Sequence, residues 1–343
     1  MTGIPDFPAS SASPVPPVVS AEETFLREEA AELPPAGTGY IRFLRGPQAR
    51  TRRGAFAIAL ALADYFVVGS IVLVPLFLLP GILPPRVWEQ WGTPLSTIVL
   101  LLSVALTLPL LFPIQRAVFR IDGRWLHSVA GRFRWSLALR AALISTVVLA
   151  LTAFVQALVS RTPIAPDLSV PAIVGAVGAV VLVPFQAAAE EYFTRGIIAR
   201  SVASWFRSPF AGLLVSALSS SLVFALLHGN LLPGLMLYYM VFGVLLWVVV
   251  WFTGGLEAAI AVHAVFNISA FVQSFLFAEP AAFSTTITAE SQFSGMWMLA
   301  VMALLVAVLI WWFRRSGVQR IYRPSDYTTT TTTTTTTTEK GDS

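Results

Sequence analysis

"VPAIVGAVGAVVLVPFQAAAEEYFTR", residues 170–195, decides how this chain is read. Residues 170–189 carry no charged side chain, and about 20 such residues cross a bilayer as a helix. Glu190, Glu191 and Arg195 then follow without a loop residue between. A charged side chain at the bilayer centre costs at least about 3 kcal/mol. Residues placed there require a partner, a water-filled cavity or a chemical task.

Working outward, eight apolar stretches are long enough to span as helix: roughly 56–80, 94–113, 136–158, 170–192, 210–228, 232–252, 255–277 and 294–313. They are continuously apolar rather than alternating, which excludes a closed β-barrel. Helices then satisfy the backbone groups that lipid cannot. Composition agrees. The chain is 56% hydrophobic and 12% charged, against about 25% charged in a soluble domain, and its mean hydropathy is +0.75. The expected fold is all-α, a polytopic membrane bundle of about eight helices over residues 55–315.

Residues 1–54 are Pro/Ala/Glu-rich and lack a signal peptide's apolar core. They are expected to be a disordered tail, with a short helix in "AEETFLREEAAEL". Residues 316–343, which include a threonine tract, are expected to be a low-complexity tail. Arginines cluster before the first stretch, in alternate loops and after the last. By the positive-inside rule both termini face the cytoplasm, in a multi-pass plasma-membrane protein. The net charge of +4 follows from those loops, and no nucleic-acid motif accompanies it.

There is no cysteine, so there is no disulfide, thiolate metal site or cysteine nucleophile. His127, His228 and His263 are the three histidines. No H-E-x-x-H, G-x-S-x-G, P-loop or dinucleotide glycine pattern occurs.

The polar residues inside the spans form three groups. Glu191 and Arg195 are four apart and can pair on one helix face, which leaves Glu190 free. The bland alternative is a solvated helix end with a snorkelling arginine. His228 ends an apolar run one turn after Phe224 and reads alone as interfacial. His263 and Asn267 share a face within a span, where an interhelical hydrogen bond would also account for them. Asp64, Arg140 and Glu257 read as interfacial. Taken together, Glu plus two His can activate water or bind a metal. An asparagine amide suits a developing oxyanion. Hydrolysis of an amide by an activated water fits this set.

"EEYFTR" (Glu190, Glu191, Arg195), "FALLH" (Phe224, His228) and "HAVFN" (His263, Asn267), in this order on successive helices, resemble the CPBP family of intramembrane proteases. That family comprises type II CAAX prenyl endopeptidases and bacteriocin-processing or self-immunity proteins, formerly called Abi. The resemblance covers about residues 170–277, the expected protease core. It implies an eight-helix bundle opening to the cytoplasmic side, with Glu190 as general base assisted by His228. His263 and Asn267 would steady the water, a metal if present, and the oxyanion. Arg195 would anchor Glu191, and Phe224 would pack the site. The family is described both as metal-dependent and as a glutamate-type hydrolase. Zinc on His228, His263 and Glu190 is the metal form of the expectation. The implied partners are the bilayer and a peptide or protein with an apolar or lipidated segment. Two rivals are a non-catalytic partner-binding or immunity protein of the same fold, and a transporter using its carboxylates as a proton relay.

The expected boundaries create a conflict. They put Glu190 toward the cytoplasmic end of span four and His228 toward the outer end of span five. A single site requires either that helix four run past residue 195 or that helix five continue through "HGNLLPG".

Overall fold

The computed structural model describes residues 20–47, 49–160, 165–229, 231–277 and 289–324. Their elements are α1 (Ala21–Glu32), α2 (Thr51–Ile82), α3 (Pro85–Ala105), α4 (Leu108–Phe119), α5 (Trp135–Ser160), α6 (Val170–Glu191), α7 (Arg200–Trp205), α8 (Pro209–Leu227), α9 (Pro233–Thr253), α10 (Glu257–Phe277) and α11 (Ala289–Arg315). A π-helical segment, Tyr192–Ala199, joins α6 to α7. Eight helical stretches are long and apolar enough to cross a membrane, with α3–α4 counted as one and α6–α7 as another. Among the described residues the extended contacts are two isolated antiparallel bridges, Gly39 with Ile321 and Ser128 with Gly255. The chain is an all-α, multi-pass membrane protein.

The helix ends follow from local chemistry. Ser169 and Ser208 accept the backbone N–H groups of Ala172 and Ala211, capping α6 and α8. Gly254 stops α9 in the left-handed region, at φ 68°. A Cβ there would also meet the Arg320 backbone at 2.7 Å, so only glycine fits.

Helix α6 lies against α3 on one side and α10 on the other. Its small residues permit the close approach: an added Cβ at Gly175 would strike the Phe275 ring, and one at Gly178 would strike Ile98. With little hydrophobic force between helices in lipid, this van der Waals fit is what drives their association. The apolar side chains left exposed, such as Phe77, Leu143 and Val177, are those a lipid solvent accepts.

The expected disorder through residue 54 does not hold for residues 20–47. The short helix expected there is α1, capped by a reciprocal Ser20–Glu23 box. Beyond it Tyr40 and Phe43 are fully buried. The Arg200 guanidinium stands over both rings, at 4.8 and 5.3 Å. Arg42 and Arg45 donate to the carbonyls of Ser208 and Ser204 at the α7–α8 turn. At the other end residues 316–324 are also docked. Tyr322 is buried against Phe43 and Trp125, and its backbone pairs with Gly37 and Thr38. The two ends of the described chain therefore meet on one side of the bundle. The rest of both expected tails, residues 1–19 and 325–343, lies outside the described residues.

Two further expectations are corrected. Glu257 is not interfacial: it is fully buried and clasped by Arg134 through Nε and Nη2 at 2.7 and 2.8 Å. Asp64 is buried within α2, and neither of its carboxylate oxygens has a partner among the described residues.

Removal of residues 1–45 is expected to lower the unfolding temperature of the detergent-solubilised protein by several degrees. It deletes the buried Tyr40 and Phe43, and truncating a buried aromatic costs about 3–5 kcal/mol. An unchanged melting curve would show that the segment is dispensable.

Candidate active site

The conflict over depth is resolved by helix four. It continues past residue 195 to Trp205, whereas α8 stops at Leu227. At about 1.5 Å per residue from the turn at 206–208, Glu190 lies about 22 Å along one helix and His228 about 28 Å along the next. The two therefore lie within about one helical turn of each other in depth. The π-helical segment begins directly after Glu191, and such widened turns recur at functional sites.

The two glutamates differ in surroundings. Glu191 is fully buried and accepts from Arg195 Nη1 at 2.8 Å. Arg195, also fully buried, donates further to Thr194 Oγ1 at 2.8 Å and to the carbonyl of Gly243 on α9 at 2.7 Å. Its guanidinium stands 4.8 Å above the Phe224 ring. The pairing expected from the four-residue spacing is present, and it extends across to α9. Glu190 has no arginine, and its buried Oε2 has no hydrogen-bond partner among the described residues.

His263, on α10, stands between the two carboxylates. Its Nδ1 is 3.0 Å from Glu191 Oε1, and its Nε2 is 3.5 Å from Glu190 Oε2. Glu191 is an acceptor already held by Arg195, so Nδ1 carries the proton and Nε2 is turned toward Glu190. Phe224 and Phe242 pack edge-on against the imidazole.

His228 caps α8. Its Nδ1 lies 2.8 Å from the Phe224 carbonyl, which can only accept, so Nε2 is the ring's free acceptor. Tyr239 stacks on it with centroids 3.8 Å apart. Glu190 and His263 lie within electrostatic reach of the ring. His228, Tyr239, Phe242, His263 and Asn267 line a cavity of about 30 Å³ among α8, α9 and α10, room for a water or two. Asn267 donates through Nδ2 to Gln186 Oε1 on α6 at 3.2 Å.

The metal expectation fares differently. Each histidine has Nδ1 tied and Nε2 available, as zinc ligands do. Yet among the described residues no three of His, Cys, Asp and Glu converge as a metal-holding group. The expected set of His228, His263 and Glu190 is therefore not gathered around one point in this arrangement.

Sequence reading passed over Gln186, Gly243 and Tyr239. Gln186 had a signal: it is a primary amide inside an apolar span, one helical turn before Glu190. Gly243 and Tyr239 had none, because Gly243 acts through its backbone oxygen and Tyr239 through a ring face.

Residues 171–269 match the family model described as type II CAAX prenyl endopeptidase Rce1-like. That segment contains every residue of the three motifs. No curated protein and no solved structure matches the chain.

Gly243 is the point at which the Arg195 anchor is most exposed to a test. A Cβ there would meet Ser221 Cβ at 2.9 Å, so Gly243→Ala must push α9 away from α8 and carry the carbonyl off Arg195. A loss of about 1–3 kcal/mol is expected from such overpacking. Ser221→Gly, which removes Cβ and Oγ and leaves only Cα at 3.1 Å, should restore part of it in the double variant. Thermal unfolding of the three variants in detergent decides; no rescue would mean that the close contact is not the cause.

Proposed function

We propose that this chain, whose residues 171–269 match the Rce1-like family model, is an intramembrane endopeptidase that hydrolyses its substrate with a water activated by Glu190. The family supports CAAX-type protease activity in general. The observation that carries the finer reading is the contrast between adjacent carboxylates. Glu191 is neutralised by Arg195, whereas Glu190 Oε2 is left with no hydrogen bond 3.5 Å from His263 Nε2.

In this reading Glu190 takes a proton from water as the oxygen attacks the scissile carbonyl. The proton has an acceptor close by in His263 Nε2, and it passes to the leaving amine as the C–N bond breaks. Asn267 donates to the carbonyl oxygen as it gains charge. His228 Nε2, fixed as an acceptor, orients the water. Glu191 and Arg195 hold His263 in the required tautomer, and Phe224 fills the space between the two imidazoles. The donors do not converge on one point among the described residues, and no step of this reading is routed through a metal. The arginine distribution favours a plasma membrane orientation with both termini cytoplasmic. Peptides with an apolar or lipidated segment suit the site because the bilayer concentrates them.

Glu190→Gln is expected to lower turnover by at least about 10²-fold while leaving the unfolding temperature within a few degrees. The readout is the set of protein termini in membranes from wild type, a deletion strain and the deletion carrying Glu190→Gln. Termini that appear only with the wild-type gene support hydrolysis. Identical termini in all three strains favour the partner-binding reading instead. Activity should also survive exhaustive chelation; a loss that stoichiometric zinc reverses would return the metal to Glu190, His228 and His263.

A further inference from the structure

We infer that Gln186, which belongs to none of the three motifs, is a positioning residue that aims the Asn267 amide into the cavity. The inference rests on the proposed hydrolysis and deepens it. Gln186 lies on α6 one helical turn before Glu190, so the two share a face, and it is only 6% exposed. A buried primary amide in a membrane helix must find a partner, and here the partner is Asn267 Nδ2 on α10, 3.2 Å from Gln186 Oε1.

The pairing matters because an asparagine amide has two unlike ends. Its NH₂ group can stabilise a developing oxyanion, and its carbonyl oxygen would repel one. Asn267 stands in the wall of the cavity that also presents His228 and His263. When Gln186 Oε1 accepts one N–H, the nitrogen end is fixed toward α6. The second N–H of the same planar group then remains for a ligand. Without that acceptor the amide is free to turn about its last torsion and present Oδ1 to the cavity instead. Gln186 therefore sets which half of Asn267 the substrate carbonyl meets, and it does so from the same helix that carries Glu190. Base and oxyanion donor are thus referenced to one rigid element.

The test is a double-mutant cycle in proteoliposomes, with an internally quenched farnesylated CAAX peptide as probe. Gln186→Met keeps the length of the side chain and removes the acceptor. It is expected to lower kcat about 10- to 100-fold, the scale of a misaimed catalytic group, with KM within twofold of wild type. Asn267→Ala should lower kcat at least as much. The double variant should be no slower than Asn267→Ala alone, because the two residues act as one unit. A Gln186→Met enzyme with wild-type kcat overturns the inference, as does a double variant in which the two losses multiply. A Gln186→Met enzyme whose KM rises at constant kcat overturns it too. If Asn267→Ala retains full activity while Glu190→Gln is dead, hydrolysis stands and the roles of both amides fall. If Glu190→Gln is also active, or wild type leaves the probe uncut, the proposed function itself fails and the inference with it. Thermal unfolding of each variant separates a lost protein from a lost function.

Discussion

The buried ion pair between Glu191 and Arg195 is the interaction on which the rest of the site depends. Both side chains are fully buried, and desolvating two charges costs several kcal/mol per ion. The Coulomb attraction at 2.8 Å does not recover that alone. Arg195 also donates to Thr194 through Nη1 and to the Gly243 carbonyl through Nη2, its Nε having no partner among the described residues, and Glu191 accepts from His263. The pair therefore fastens three helices together: α6 with its π-helical continuation through the two partners, α9 through a backbone oxygen, and α10 through an imidazole. Breaking a buried pair by removing one partner costs about 3–5 kcal/mol, so the cluster holds together as a unit. Its geometry selects one tautomer of His263. That tautomer is what leaves Nε2 facing Glu190.

Around this anchor the fold is organised by length and by small side chains. Helix four is 36 residues long from α6 through α7, well over what the hydrocarbon requires. The excess places the Glu pair near the middle of the helix rather than at its end. The glycines at 175 and 178 let Phe275 and Ile98 close on it. The excess also explains the ordered terminal segments. Helix four emerges as α7, whose first residue Arg200 is fully buried, a cation with no carboxylate paired to it among the described residues. Tyr40, Phe43 and Gln115 cover that guanidinium. The segment 20–47 is thus the solvent substitute for a charge that the long helix carries into the arginine-rich end.

This division sets what could be read from residues alone. The eight spans were legible because each is a continuous apolar run, and lipid allows such a run only one backbone solution. The Glu191–Arg195 pair was legible because a spacing of four is a property of the helix itself. Where a feature depended on a second helix, the sequence was silent. Nothing in "YYMVFGVL" distinguishes Gly243 from a glycine that merely packs, because its role is played by a carbonyl common to every residue. Polar composition misled at residues 20–47. That segment is held by buried Tyr40 and Phe43 and by Glu29, which binds Asp122 and Trp125, and no short-range pattern announces partners so distant. Helix continuation past residue 195 was legible only as one of two ways to bring Glu190 and His228 together, for a similar reason. Arg195 and Arg200 resemble a membrane exit until their partners are seen.

The asymmetry of the two glutamates bears on how water is used so deep in the bundle. Two adjacent carboxylates cannot both be neutralised by one arginine on the same face, because consecutive helical residues point about 100° apart. Pairing Glu191 with Arg195 therefore forces Glu190 onto another side. There it faces an imidazole nitrogen at 3.5 Å and pairs with no guanidinium among the described residues. A second arginine would hold Glu190 permanently as an acceptor of strong hydrogen bonds and take away its capacity to accept a proton. An imidazole nitrogen instead can share that proton once it arrives. The cavity on the far side of that imidazole admits a water or two and is walled by His228, His263, Asn267 and aromatic rings. The same helical geometry that satisfies one carboxylate with a fixed ion pair reserves the other for proton transfer.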